Sequence, residues 1–391
     1  MDRTRINRIK KALRAAKLDA MVLRMPENIV MSLGVWPMNG FSYAVVTAES
    51  GPAALVAPSC EDEEMDGCWT DDVRYFIWPR LNMPDPLKAI RKELRAIARM
   101  HGLERARIGY EANFECVAPA HNAGEVMTHC EDSVKWLKAA LPKAKWKDAT
   151  GVLNSLRATK TEAEIGKMRI ANKVASFGHK ALFRKCRPGI SEAALASAVY
   201  AECMTKGAAL PGVRHVNAYP QISSGSNGYR AWRPIVSTGR RKIMAGEVAL
   251  LELAVCVDGF WSDTTRVKAA GKPSAEQKRM FAAVKKAQAA GVKAIKAGIK
   301  ASKPDETTYG ILKDAGFEDM IVHLTGHGIG FRYHEPEPFL VRGNDMKLRV
   351  GHTCSVEPGL YHKKWGGIRL EDIVAVTSKG CEVLTPTPKI L

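Results

Sequence analysis

The sequence predicts two domains, an α/β layer domain over residues 1–150 followed by an α+β domain over residues 151–391. Three observations carry this prediction. A chain of 391 residues is long for one hydrophobic core. Its first part alternates helical and strand-like apolar periods, as layered α/β proteins do. Its last part sets histidines and carboxylates among strand-like apolar segments between residues 323 and 371.

In chain order, Ile6, Ile9 and Leu13 recur at the spacing of one helix face, so a helix opens the chain. Strands are expected at residues 20–23, 43–46, 53–56 and 73–78. A long helix follows over residues 86–101, then a strand at 107–110 and more helix before Pro142. Thr161 with Glu164 three residues later is a capping-box start, so a helix should run from there toward Lys185. Pro188-Gly189 breaks it, and Ser191-Glu192 begins another that continues to Lys206. The stretch rich in Gly, Pro and Asn from Gly207 to Gly228 reads as a loop. Residues 248–257 and 260–269 are apolar runs on either side of Asp258-Gly259, a strong hairpin signal. Helices are then expected over residues 274–297 and 305–315.

Composition limits what the chain can be. It is 46% hydrophobic and 26% charged, ordinary for a globular protein. No run reaches the roughly 18 apolar residues of a membrane helix, and residues 1–18 form a basic amphipathic pattern without the apolar centre of a secretory signal. Nine cysteines, scattered and free of Cys-x-x-Cys pairs, fit reduced, mostly buried thiols in a cytoplasm rather than a disulfide framework or zinc ribbon. The net charge of +18 raises nucleic-acid binding as an option. However, Lys and Arg are spread along helices, without one block interleaved by aromatics, and read as a solvated basic surface that could attract anionic substrates. Gly-x-Gly-x-x-Gly in a strand-turn-helix setting is absent, so no dinucleotide site is expected.

The chemistry concentrates late in the chain: His323-Leu324-Thr325-Gly326-His327-Gly328-Ile329-Gly330, His334-Glu335-Pro336, Glu357-Pro358-Gly359 and Arg369-Leu370-Glu371-Asp372. Carboxylates inside strand-like apolar segments are costly to bury unless paired, hydrogen-bonded or metal-bound. The hairpin adds Glu252 and Asp263, whose separation around a tight turn lets both carboxylates face one cavity. Alone, such a pair reads more readily as surface carboxylates than as a site. With His327, Glu357 and Glu371 it becomes a set of four carboxylates and one imidazole, which suits Mn²⁺, Mg²⁺ or Fe²⁺, with Co²⁺ and Zn²⁺ as alternatives.

These motifs resemble the creatinase/prolidase/aminopeptidase P branch of the methionine-aminopeptidase superfamily, the pita-bread fold. The resemblance covers residues 155–385 and rests on the Leu156–Arg169 segment, Ser262-Asp263-Thr264-Thr265-Arg266, the Gly326–Gly330 run with His334-Glu335, and Glu357-Pro358-Gly359 with Arg369-Leu370-Glu371-Asp372. Residues 1–150 are similar to the creatinase-type N-terminal domain. The resemblance implies that Asp263 and Glu371 bridge two metal ions, with Mn²⁺ the first choice, and that Glu252, His327 and Glu357 complete the ligand set. It implies that Glu357 shuttles the proton, that His323 and His334 hydrogen-bond the substrate and stabilise its oxyanion, and that Arg369 orients Glu371 or grips a substrate carboxylate, with Tyr361 nearby. His323 also reads as a satisfied core histidine.

Two positions depart from the pattern. The family's metal-binding peptidases carry Asp where this chain has Glu252, and Gly where it has Ala254; the longer side chain could leave one ion or none. Where the family has a substrate-binding histidine, seven residues after Gly225, this chain has Trp232. The expectation is a cytoplasmic, homodimeric metallohydrolase that cleaves Xaa-Pro bonds through a metal-bound hydroxide. The alternatives are a non-peptidase of the same fold (creatinase-, ectoine-hydrolase- or dimethylsulfoniopropionate-lyase-like) acting on a small metabolite, and a non-catalytic binding module.

Overall fold

A computed structural model describes residues 1–38, 41–78, 85–112, 131–233 and 238–391. Described residues up to Arg157 pack as one compact unit, and those from Ala158 onward as another.

In the first unit, helices α1 (Arg3–Ala15), α2 (Pro26–Leu33), α3 (Pro86–Met100), α4 (Glu131–Ala140) and α5 (Thr150–Ala158) accompany six strands. These are β1 (Ala20–Leu23), β2 (Tyr43–Thr47), β3 (Gly51–Pro58), β4 (Val73–Phe76), β5 (Arg107–Tyr110) and β6 (Lys145–Asp148), ordered β4-β3-β2-β1-β5-β6. β1–β2 and β2–β3 pair antiparallel, while β1–β5, β3–β4 and β5–β6 are parallel, so the sheet is mixed. Ile90, Leu94 and Ile97 of α3, at helical spacing, are buried in one cluster with Val22, Val45, Val56 and Ile108. Helix α2 and strand β6 were not expected from the sequence. α2 begins with Pro26 in its first turn and closes on Gly34 in the left-handed conformation. Gly151, near which the domain boundary is expected, lies within α5.

In the second unit, α6 (Glu162–Lys185) opens with the expected capping box between Thr161 and Glu164. α7 (Glu192–Ala208) is capped by Ser191. The segment read as a loop over residues 207–228 instead contains β7 (Val216–Ser224), paired antiparallel with β8 (Val248–Val257) over its whole length. Pro220 and Asn217 hid it by propensity, but as an edge strand it tolerates a proline. The hairpin of β8 and β9 (Phe260–Ala269) turns at Asp258 (φ 48°) and Gly259 (φ 82°), two positive φ values that match the twist of its strands.

β8 alternates faces. Leu251, Leu253 and Val255 pack with Val174, Leu182, Leu195 and Val199 of α6 and α7. Val248 and Leu250 instead pack with Met280 and Val284 of α8 (Ala275–Ala294). After α9 (Ser302–Asp314) come β10 (Gly326–Gly328), β11 (Glu335–Leu340) and β12 (Thr353–Val356). The strands β13 (Gly359–His362), β14 (Gly366–Arg369), β15 (Asp372–Val376) and β16 (Cys381–Val383) complete the chain, with one sheet ordered β11-β10-β12-β15-β16 and β13 paired to β14.

Among the described residues no helix is long and apolar enough to cross a membrane. The seven described cysteines are free; Cys203, Cys256 and Cys354 are buried, Cys68, Cys186 and Cys381 half-buried and Cys60 exposed. Burial of the thiols is therefore less general than expected. Cys116 and Cys130 lie outside the described residues.

Candidate metal centre

Strand alternation builds the first half of the site. Glu252 shares the face of Leu250 that looks away from α6 and α7. Antiparallel register sets Glu252 opposite Thr265 and Ala254 opposite Asp263, so Glu252, Asp263 and Thr265 project from the same face.

The second half comes from strand ends. His327 sits in β10, between β11 and β12. Its glycine neighbours are required by close packing: a Cβ on Gly326 would lie 2.0 Å from the Ser355 carbonyl oxygen, and one on Gly328 2.1 Å from that of Glu337. Glu357 follows β12 and anchors its N–H on Thr325 O at 2.7 Å. Glu371 lies between β14 and β15, with its N–H on Thr265 O at 3.2 Å.

These elements bring together the five residues expected as ligands, plus His334. Three overlapping triplets (Asp263, His327 and His334; His327, Glu357 and Glu371; Glu252, Asp263 and Glu371) each place one ligand atom per residue within 4.8 Å of the others. His327 Nδ1 donates to the Gly328 carbonyl at 2.9 Å, which leaves an Nε2 lone pair facing Asp263 Oδ2 and Glu357 Oε1, each 3.4 Å away. Burial holds the imidazole below its ordinary pKa, so it stays neutral. Lone pairs facing one another at such distances call for a cation between them.

Two further features say the same. Asp263 Oδ1 and Glu371 Oε1 are buried and have no hydrogen-bond partner among the described residues. Burial pushes the carboxyls of Asp263 and Glu357 well above the usual range, and the charge of Glu371 adds to the rise of both. A hard divalent cation would satisfy the open oxygens and relieve the repulsion, so the donor set fits the metal that the sequence implies.

The expected substrate-side residues are more interlinked than the sequence suggests. His323 Nδ1 donates to Leu324 O at 2.7 Å, so its Nε2 accepts from the Tyr361 hydroxyl at 2.9 Å. Tyr361 in turn accepts from Arg369 Nη1 at 3.2 Å. Arg369 also donates through Nε to Thr265 Oγ1 at 2.8 Å and through Nη1 to Ala231 O at 3.2 Å, and its Nη2 forms an ion pair with Glu252. It reaches Glu371 only through Thr265, whose hydroxyl lies 2.7 Å from Glu371 Oε2. His334 packs against His327 with ring centroids 4.3 Å apart and the ring planes tilted by 45°. Trp232 is 37% exposed, under the Arg233 guanidinium.

Three residues of the site were not expected. Thr265 joins Arg369, Glu252 and Glu371; its position two after Asp263 in a strand was the available signal. Ser355 accepts from His327 N at 3.1 Å and donates to Glu357 Oε1 at 3.0 Å, two residues before Glu357 in β12. The Tyr333 hydroxyl lies 3.1 Å from Glu252 Oε1 and also within hydrogen-bond reach of Asp263, so its one proton serves one carboxylate at a time, and only its place beside His334 hinted at it.

This fold and this donor set define a metal-dependent hydrolase. The chain belongs to metallopeptidase family M24, whose model matches residues 166–378, and the creatinase/prolidase N-terminal domain matches residues 5–159. It is therefore a metallohydrolase of the creatinase/prolidase/aminopeptidase P branch, and its family implies a divalent metal. It is 32% identical to an Xaa-Pro dipeptidase of Lactobacillus helveticus over 258 residues, 66% of this chain and 68% of the relative. It is 29% identical to an Xaa-Pro dipeptidase of Pyrococcus furiosus over 246 residues, 63% and 68% of the two chains. Among solved structures, an Xaa-Pro dipeptidase from Bacillus anthracis shares the fold with a TM-score of 0.80 at 24% identity, covering 99% of this chain and 98% of that one. A prolidase from Pyrococcus furiosus superposes with a TM-score of 0.76 at 25% identity over 97% and 100%.

Proposed function

We propose that this protein is a Mn²⁺-dependent Xaa-Pro peptidase of the prolidase/aminopeptidase P type. The observation that carries the reading is the convergence of Asp263, His327, Glu357 and Glu371 around open, buried carboxylate oxygens. The relatives named Xaa-Pro dipeptidase support the substrate class. In this reading Asp263, His327, Glu357 and Glu371 hold the ion. A bound divalent cation supplies Lewis acidity and eases deprotonation of water near neutral pH. Glu357 is the proton carrier: Oε1 is fixed by Ser355, while Oε2, 3.8 Å from Arg369 Nε, takes a proton from the attacking water and returns it to the departing amine nitrogen. His334, on the His327 ring, donates to the scissile carbonyl oxygen as charge develops on it. Arg369 and Tyr361 orient the substrate side of the site through their shared hydrogen bond. A homodimer belongs to the same reading and is open to sedimentation analysis.

The direct test is proline release from a panel of Xaa-Pro dipeptides with and without Mn²⁺. Release that depends on Mn²⁺ and stops on chelation supports the assignment. A protein that binds Mn²⁺ yet leaves every dipeptide intact would refute it. The small-metabolite C–N hydrolase reading, favoured by Trp232 and Glu252, would then replace it.

A further inference from the structure

The five carboxylate and imidazole groups of the centre are not equivalent. Glu252 already has a protein group on each oxygen: the Tyr333 hydroxyl on Oε1 at 3.1 Å and the Arg369 guanidinium on Oε2, with Thr265 Oγ1 3.1 Å from Oε2 but nearer, at 2.7 Å, to Glu371 Oε2. Asp263 and Glu371 are the opposite case, each with one buried oxygen that nothing among the described residues satisfies, at 2% and 0% exposure. The demand for a cation therefore lies on one side of the cluster. On the other side a cation, the guanidinium of Arg369, is already in place. Proximity alone would enlist Glu252, which lies within 4.8 Å of Asp263 and Glu371. Ligation through Oε2, however, would set a divalent ion beside a buried guanidinium, and ligation through Oε1 would have to displace the Tyr333 hydrogen bond.

We propose that Glu252 is not a metal ligand: the centre takes a single divalent ion among Asp263, His327, Glu357 and Glu371, and Glu252 serves as the internal counter-ion of Arg369. The inference rests on the metal dependence of the site and is independent of which bond is cleaved. Arg369 at 5% exposure needs an anion beside it, and Glu252 meets that need. Glu252 is thus a positioning residue that holds Arg369 against Tyr361 and Thr265.

The test is a count of ions on the full-length chain. Protein stripped with a chelator is titrated with MnCl₂ by calorimetry, and the loaded sample is examined by electron paramagnetic resonance. The expected result is one Mn²⁺ per chain with the six-line spectrum of an isolated ion. Glu252→Gln should keep that stoichiometry, with Kd changed by less than about tenfold, the low end of effects from residues beyond the ligands. Glu371→Gln should weaken binding by more than about 100-fold, beyond that range. Two ions per chain in the parent, an exchange-coupled spectrum, or no binding would each overturn the proposal. Should Glu252→Gln fail to fold because Arg369 loses its partner, the stoichiometry and spectrum of the parent decide the matter. A failed dipeptide panel would leave the ion count untouched, so the two readings fail separately.

Discussion

Lys160 donates through Nζ to Glu335 Oε2, and the two side chains are 0% and 1% exposed. The other carboxylate oxygen of Glu335 accepts the Phe331 N–H at 2.8 Å, so the pair fixes the loop that presents Tyr333 and His334 to the metal centre. Removing one partner of a buried pair strands the other charge. Lys160→Met is expected to lower stability by about 3–5 kcal/mol. Lys160→Met with Glu335→Gln should recover a large part of that loss, because no buried charge remains. Urea unfolding of the three proteins checks this; equal midpoints for parent and single variant would show that the pair contributes nothing.

Ser355 ties His327 to Glu357. Its hydroxyl accepts the His327 N–H and donates to Glu357 Oε1. Ser355→Ala leaves a buried N–H open and deprives the Glu357 carboxylate of its donor. A lost bond of this kind is worth about 1–2 kcal/mol, so kcat/KM should fall roughly tenfold. The hydrogen bond from Ser355 holds the Glu357 pKa down against burial and the charge of Glu371. Its loss should therefore move the acid limb of the pH–rate profile upward. A profile that keeps its limb while activity falls would mean Ser355 acts only through His327.

The residues that converge in the candidate site were legible because they sit at strand ends marked by glycine and proline. Gly326-His327-Gly328 and Glu357-Pro358 announce themselves in the sequence, and Asp258-Gly259 fixes the hairpin register that puts Glu252 and Asp263 on one face. The fold was legible where period and capping agreed, as at Thr161–Glu164. β7 was not, because Pro220 and Asn217 disguise an edge strand whose identity comes from pairing with β8. The partner of Arg369 was not either. A guanidinium's choice between Glu252 and Glu371 depends on where Thr265 and Tyr361 sit, and only tertiary packing decides that. Tyr333 escaped notice for the same reason.

Gly326 and Gly310 make a matched pair for testing close packing. A Cβ on Gly326 would meet the Ser355 carbonyl oxygen at 2.0 Å, and backbone in the middle of a sheet cannot yield. A Cβ on Gly310, in α9, meets nothing within 4 Å. Gly326→Ala should cost at least about 3 kcal/mol, the upper end of overpacking effects, or abolish soluble expression. Gly310→Ala should be neutral or stabilise by up to about 1 kcal/mol through helix propensity. Thermal melts of the two alanine variants provide the comparison, and similar melting temperatures would contradict it.

His352 is not among the carboxylate and imidazole groups of the candidate site; it is 1% exposed, with Nδ1 accepting the Arg349 N–H at 3.3 Å. Burial, aided by the charges of Lys160 and Arg349, lowers its pKa from 6.5 to about 4. Above pH 6.5 the folded and unfolded chains both carry it neutral, and its contribution to stability is fully present. As pH falls below 6.5 the unfolded chain takes up a proton that the folded chain refuses until about pH 4, so stability is lost across that window. The loss attributable to this residue is up to about 3 kcal/mol. Other buried histidines act in the same direction, so the informative quantity is the difference between the parent and His352→Asn, whose side-chain oxygen can still accept from Arg349. The variant should lose less stability than the parent between pH 6.5 and 4 in denaturant titrations. Parallel pH profiles for the two proteins would show that His352 is protonated as readily in the folded chain as in the unfolded one.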